Sequence, residues 1–149
     1  MNAGVPFSVV IAAGLCGVAA MELVMWLIKR SGWSNGSMVV ALGSLVTRKR
    51  DNAWAVGAVI HLVAAVTFAY LYSLTLMRLG LTVFPQAQIA GLAIGFVHGL
   101  LVSVALVWVV AEQHPLEEFS TAGFQVGVTH VAGHVAFGLA VGMVLAIAR

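Results

Sequence analysis

The sequence predicts an all-α integral membrane protein, a bundle of four transmembrane helices with a short interfacial helix between the first two. Of its 149 residues, 62% are hydrophobic and only 8% are charged, whereas about a quarter of the residues in a soluble domain are charged. Four apolar stretches each reach the roughly 20 residues that a helix needs to cross a bilayer. Because these stretches fill nearly the whole chain, residues 1–149 are expected to form a single transmembrane domain.

Charged or proline-containing connections separate the predicted spans, which cover about residues 7–28, 54–77, 87–111 and 122–146. The first span ends at the basic pair Lys29 and Arg30. The third follows Pro85, a residue that suits a helix start. Pro115 is expected to end the third span, because proline cannot continue a helix. The fourth span then begins near Ala122, or earlier at Pro115.

The segment from Ser31 to Asn52 differs from the spans. Its apolar middle, residues 38–46, is too short to cross a bilayer. Ser34 or Asn35 could cap a helix there, since both types are preferred at that position. The segment therefore predicts an interfacial or re-entrant helix.

Lys and Arg residues gather on one side of the predicted bundle. The first connection holds five of them, and the opposite side holds only Arg78 and Arg149. By the positive-inside rule, the first and third connections face the cytoplasm and both termini face outward. Tyr70 and Tyr72 are expected near the outer interface, where aromatic residues concentrate. Because the basic residues adjoin hydrophobic ends, the expected partner is the lipid bilayer and not nucleic acid.

Every predicted span contains at least one ionisable side chain. Such a side chain in hydrocarbon costs on the order of 3 kcal/mol or more, so these groups are expected to face the bundle interior and satisfy one another. Small residues, which let helices approach closely in lipid, recur on the same faces, for example around His98 in the third span. The ionisable set is Glu22, His61, His98, His130 and His134.

His130 and His134 are four residues apart, which places two imidazoles on one side of a helix. This spacing can chelate a metal ion if other helices supply further ligands, and His98, His61 and Glu22 are the available donors. Such a set suits zinc, copper or non-haem iron. The leading hypothesis is therefore a buried metal site, either redox-active or structural.

Other cofactor arrangements stay open. His98 and His134 could be the axial ligands of a b-type haem, with Gly95, Gly99 and Gly138 leaving room for the ring. Met21 and Met25 are expected to pack or to face lipid, and copper ligation by them is a further alternative.

Two further classes of function compete with metal binding. Glu22 and the histidines could form a relay for protons or small ions, or the chain could be a non-catalytic subunit of a larger membrane complex or a homo-oligomer. No motif for nucleotide chemistry or serine hydrolysis occurs in the sequence, and whether the chain is an enzyme stays open. His114 is expected to be a solvated helix cap near several glutamates.

Short patterns in the second half of the chain are His98-Gly99, His114-Pro115 and Gly133-His134-Val135-Ala136-Phe137-Gly138. Together with the four-span layout, they resemble a group of small bacterial membrane proteins to which no activity is assigned. The resemblance implies four spans and a multi-pass protein of the bacterial inner (cytoplasmic) membrane.

Overall fold

A computed structural model describes residues 5–34, 37–107, 111–120 and 123–148, which form helices and no strands. The helices are α1 (Phe7–Arg30), α2 (Met38–Thr47), α3 (Ala53–Arg78), α4 (Gln86–Ala105), α5 (Glu117–Ser120) and α6 (Phe124–Ile147). Four of them, α1, α3, α4 and α6, are long and apolar enough to cross a membrane. Large hydrophobic side chains such as Val63 and Leu101 are exposed on their outer faces. These features confirm the predicted fold class and indicate a multi-pass membrane protein.

The helix ends agree with the prediction except around the third connection. α4 follows Pro85 as expected, but it ends at Ala105 and not at residue 111. The backbone N–H of Ala111 donates to the oxygen of Leu106, five residues earlier, at 2.9 Å, so the regular four-residue pattern of an α-helix is lost there. The predicted start of the fourth span at Ala122 lies outside the described residues. No helix starts at Pro115; the separate helix α5 precedes α6.

α4 and α6 are in direct backbone contact along a stripe of glycines. A Cβ atom at Gly91 would overlap the carbonyl oxygen of Gly138, and one at Gly138 would overlap that of Gly91. A Cβ at Gly95 would likewise overlap the carbonyl oxygen of His134. This close approach requires glycine, and it is the packing of small residues expected between helices in lipid.

α1 completes the bundle by packing on α6 and α3. Its residues Met21 and Met25 pack against Gly133 of α6, and Gly14 lies against the backbone of α3 at Val66. Both methionines are almost fully buried, so the alternative that they face lipid is wrong and the packing alternative is confirmed.

The shorter helix predicted between the first two spans is α2, which packs along the first turns of α3. A Cβ at Gly43 would overlap the carbonyl oxygen of Ala53, and one at Gly57 would overlap that of Val39. The first residue of α2, Met38, reaches α6 inside the bundle. α2 thus contributes a side chain to the interior and ends at the basic residues. We call this end of the bundle, with Lys29, Arg30, Arg48, Lys49 and Arg50, the basic end.

The third connection is tied to α2 at the basic end. Leu116 donates its backbone N–H to His114 Nδ1 at 3.1 Å, so His114 Nε2 carries the proton and donates to the oxygen of Ala41, also at 3.1 Å. Arg50 forms an ion pair with Glu118, in which Nη1 donates to both carboxylate oxygens, at 2.9 and 3.1 Å. His114 is buried, so the expectation of a solvated cap is wrong, because its ring docks onto α2 instead of facing solvent.

Candidate functional site

α6 supplies two buried histidines whose rings are oriented by its own backbone. His130 Nδ1 lies 2.7 Å from the carbonyl oxygen of Val126, and His134 Nδ1 lies 2.7 Å from that of His130. A carbonyl oxygen only accepts, so each Nδ1 carries the proton and donates it. In the neutral ring, Nε2 therefore holds a lone pair that is free to accept a proton or to bind a metal ion.

α4 places His98 among aromatic side chains. Its ring centre lies 4.5 Å from that of His134 in an edge-to-face arrangement, and 4.1 Å from that of Phe68. The hydroxyl of Tyr72 lies 3.0 Å from His98 Nδ1, a hydrogen bond that joins α3 to α4. Such edge-to-face pairs are favourable aromatic contacts, so the position of His98 is fixed from several sides.

Glu22 of α1 and His61 of α3 form a second pair. Glu22 Oε1 lies 3.7 Å from His61 Nε2, which is within ion-pair distance but long for a hydrogen bond. This oxygen is buried and has no hydrogen-bond partner among the described residues, although the Glu22 side chain as a whole is 45% exposed. A carboxylate at membrane depth needs a polar partner, and His61 is positioned to pair with Glu22.

The remaining histidine contacts a thioether. His130 Nε2 lies 2.9 Å from Met38 Sδ. Only 2% of the His130 surface is exposed, so this contact is shielded from solvent and lipid. It joins α2 to α6 beside the other buried histidines.

A half-open cavity of about 140 Å³ lies between these pairs. Three imidazoles and two thioethers are part of its wall: His61, His98, His134, Met21 and Met38. Its volume exceeds the roughly 30 Å³ that one water occupies in the liquid, and the imidazoles offer hydrogen-bond partners. The cavity can therefore hold a short chain of waters or a small ion.

A groove of about 500 Å³ lies on the other side of His98, between α3 and α4, and opens on the surface of the bundle. His98 and Phe68 line both the cavity and the groove, and so form the wall between them. The groove is mostly apolar, and Tyr72 and Thr75 contribute its hydroxyl groups. A bilayer-facing opening thus ends at the Tyr72–His98 hydrogen bond.

Four of the five predicted metal ligands lie close together in two pairs, and the fifth, His130, contacts a methionine. Glu22 meets His61, His98 meets His134, and His130 meets Met38. In the part of the chain that the structure describes, no three His, Cys, Asp or Glu side chains are grouped so that they could hold one metal ion. The predicted site with all five ligands stays a prediction.

The haem alternative stays a prediction, and the structure shows what surrounds the glycines on which it was based. Gly95, Gly99 and Gly138 were expected to leave room for the ring, but the space beside them is filled by the backbone of the facing helix. The rings of His98 and His134 are already in contact with each other. In this structure the glycines serve close packing between α4 and α6.

Sequence reasoning missed two residues of the site, Tyr72 and Met38. Tyr72 was expected near the outer interface, but it is only 3% exposed and is bonded to His98. Its position continues the buried face of α3 that contains His61 and Ala65, so extending that helical spacing would have found it. No spacing rule points to Met38, because α2 had no predicted docking partner.

Comparison of the chain with protein-family models, with curated proteins and with solved structures gives no match.

Proposed function

We propose that this membrane protein carries protons through the bundle interior along its buried imidazoles, from Glu22 at one end to Tyr72 at the other. The observation that supports the proposal most is the placement of two titratable pairs, Glu22–His61 and Tyr72–His98, each with its imidazole on the wall of one cavity. Intramembrane ionisable residues commonly form such relays in pumps and transporters.

The first step joins the basic end to the cavity. Glu22 lies eight residues before the end of α1 at Arg30, which is about 12 Å along the helix. Its partly exposed carboxylate can take up a proton, and its buried oxygen faces His61. His61 also lines the cavity, so it is the link between the carboxylate and the interior.

The second step crosses the cavity. His134 presents an unprotonated Nε2, because its Nδ1 proton is held by the His130 carbonyl. It is therefore a proton acceptor, and His98 lies in ring contact with it. Waters in a cavity of this size can connect His61 to either ring.

The last step reaches the groove between α3 and α4. Tyr72 accepts or donates one hydrogen bond with His98 and also lines the groove. Beyond Tyr72 the groove offers the Thr75 hydroxyl, and the path on that side requires water to enter this mostly apolar groove.

Proton flux into proteoliposomes tests the relay. Vesicles that contain the purified protein and an internal pH dye receive a potassium diffusion potential, and the rate of the internal pH change is measured. We expect Glu22→Gln to lower the rate to that of protein-free vesicles, because an amide does not titrate. Tyr72→Phe, which removes only the hydroxyl, should slow the flux by about tenfold or more.

Glu112→Gln is the matched control, because Glu112 is exposed and lies in the third connection, outside the described spans. It should leave the flux unchanged. Native protein that conducts no faster than empty vesicles, or a Glu22→Gln variant that conducts like the native protein, would contradict the relay.

The other candidate functions stay predictions. Metal binding by His98, His130, His134, His61 and Glu22, with zinc, copper or iron, is tested by elemental analysis and an absorption spectrum of the detergent-purified protein. A role as a non-catalytic subunit is tested by co-purification with a fixed partner. We prefer the relay because these residues are arranged in pairs along a path.

A further inference from the structure

We propose that the protein binds a Cu(I) ion where α2 meets α6, with His130 Nε2 and Met38 Sδ as the first two ligands. Met21 Sδ and His134 Nε2 complete the donor set. This site shares His134 with the proposed proton relay, but the argument for it does not rest on the relay.

The contact between His130 and Met38 is the first argument. The Val126 carbonyl holds the Nδ1 proton of His130, so Nε2 of the neutral ring faces the sulfur with a lone pair at 2.9 Å. The thioether also has only lone pairs to offer. Two electron-pair donors at this distance repel each other unless a positive charge lies between them, either a proton on Nε2 or a metal ion. A metal ion there would bond to both atoms.

The remaining donors lie beside this pair. Met21 and Met38 line the same cavity as His134, and Met21 packs on Gly133, between the two histidines of α6. The Nε2 of His134 also holds a free lone pair, because its Nδ1 proton bonds to the His130 carbonyl. Methionine has three rotatable bonds, so both sulfurs can turn toward one ion without movement of the helices.

The donor types select the ion. Two imidazole nitrogens and two thioether sulfurs form a soft set, and thioethers favour Cu(I). Calcium and magnesium require oxygen ligands. Zinc sites use Cys, His and carboxylates; here Cys16 is exposed and Glu22 faces His61. The set contains two histidines and no Cys, Asp or Glu, which agrees with the finding that no three of these side chains are grouped among the described residues.

The test is anaerobic titration of the full-length, detergent-purified protein with Cu(I) against a colorimetric Cu(I) chelator. We expect one ion per chain, and X-ray absorption should show both sulfur and nitrogen as copper neighbours. Met38→Leu and Met21→Leu each remove one sulfur at nearly constant volume, and each should lower the Cu(I) affinity by about tenfold or more. The two variants lie on different helices, so a packing fault in one does not affect the other.

Met25→Leu is the matched control, because Met25 is equally buried and packs on the same Gly133 but does not line the cavity. Its affinity should equal that of the native protein. A native protein that binds no stoichiometric Cu(I), or a spectrum without sulfur neighbours, overturns the proposal. So does native affinity in both Met38→Leu and Met21→Leu. The relay predicts normal proton flux in both methionine variants with a copper chelator present, so the two proposals can fail separately.

Discussion

Replacing Gly138 by alanine should force α4 and α6 apart at the seam where their backbones touch. The added Cβ would overlap the Gly91 carbonyl oxygen and would lie 3.1 Å from the Cα of Gly95. Both neighbours are backbone atoms, which cannot rotate away as a flexible side chain could. The helices must therefore separate along the stripe, and the contacts on both sides of Gly138 weaken together.

The magnitude follows from two opposing effects. Alanine is favoured over glycine inside a helix by about 0.5–1 kcal/mol. Inserting a methyl group into a closely packed site costs about 1–3 kcal/mol, and rigid backbone neighbours place this substitution at the upper end. The net loss of stability is about 2 kcal/mol, which corresponds to a Tm lower by about 4–8 °C for a chain of this size.

Thermal unfolding in one detergent, followed by circular dichroism, measures this loss. Gly127→Ala is the matched control on the same helix, because its added Cβ would meet Ser103 Cβ and Val107 Cγ2 at 3.7 Å, an ordinary contact distance. It should keep or raise the Tm. If Gly138→Ala is as stable as the native protein, or if Gly127→Ala is the less stable of the two, the close backbone contact between α4 and α6 is refuted.

Two further substitutions test polar contacts between segments. Ser103→Ala removes a buried hydroxyl that donates to the Gly127 oxygen at 2.7 Å, and it should lower the free energy of unfolding by about 0.6 kcal/mol, the average for such bonds between membrane helices. Ser31→Ala is the control, because its exposed hydroxyl bonds to the preceding turn of α1, and it should lower the free energy of unfolding by less. A larger loss in Ser31→Ala than in Ser103→Ala would contradict the role of the bond between α4 and α6. His114→Ala leaves the Ala41 oxygen and the Leu116 N–H without their partner at a cost of about 1–3 kcal/mol, and it should speed proteolysis between residues 31 and 52. Arg50→Gln removes only an exposed ion pair worth less than about 1 kcal/mol, so its segment should be cleaved at the rate of the native protein. Equal rates in the native protein, Arg50→Gln and His114→Ala would refute the docking of α2 by His114.

The sequence predicted the four long helices because each span is a continuous apolar run, and the bilayer sets the required length. It also predicted which faces pack, since the glycine and histidine positions share the helical spacing. It could not predict the partner of each side chain. The same small residues are consistent with a haem pocket or with direct helix contact, and only the structure shows that Gly95 faces the His134 carbonyl. Met38 entered the site through the docking of α2, a tertiary contact without a sequence signal.

The position of the cavity follows from uneven packing around α6. On one side the glycine stripe brings α4 against α6 with no space between their backbones. On the other side the large side chains of Phe137 and Met21 form part of the wall of the cavity, where three imidazoles also lie. α3 packs closely on α2 and α1 but is separated from α4 by the groove. The hydrogen bond from Tyr72 to His98 crosses this weakly packed seam. The last step of the proposed relay is therefore the one most sensitive to the separation of α3 and α4. A small movement of α3 would form or break the Tyr72–His98 hydrogen bond on which that step depends.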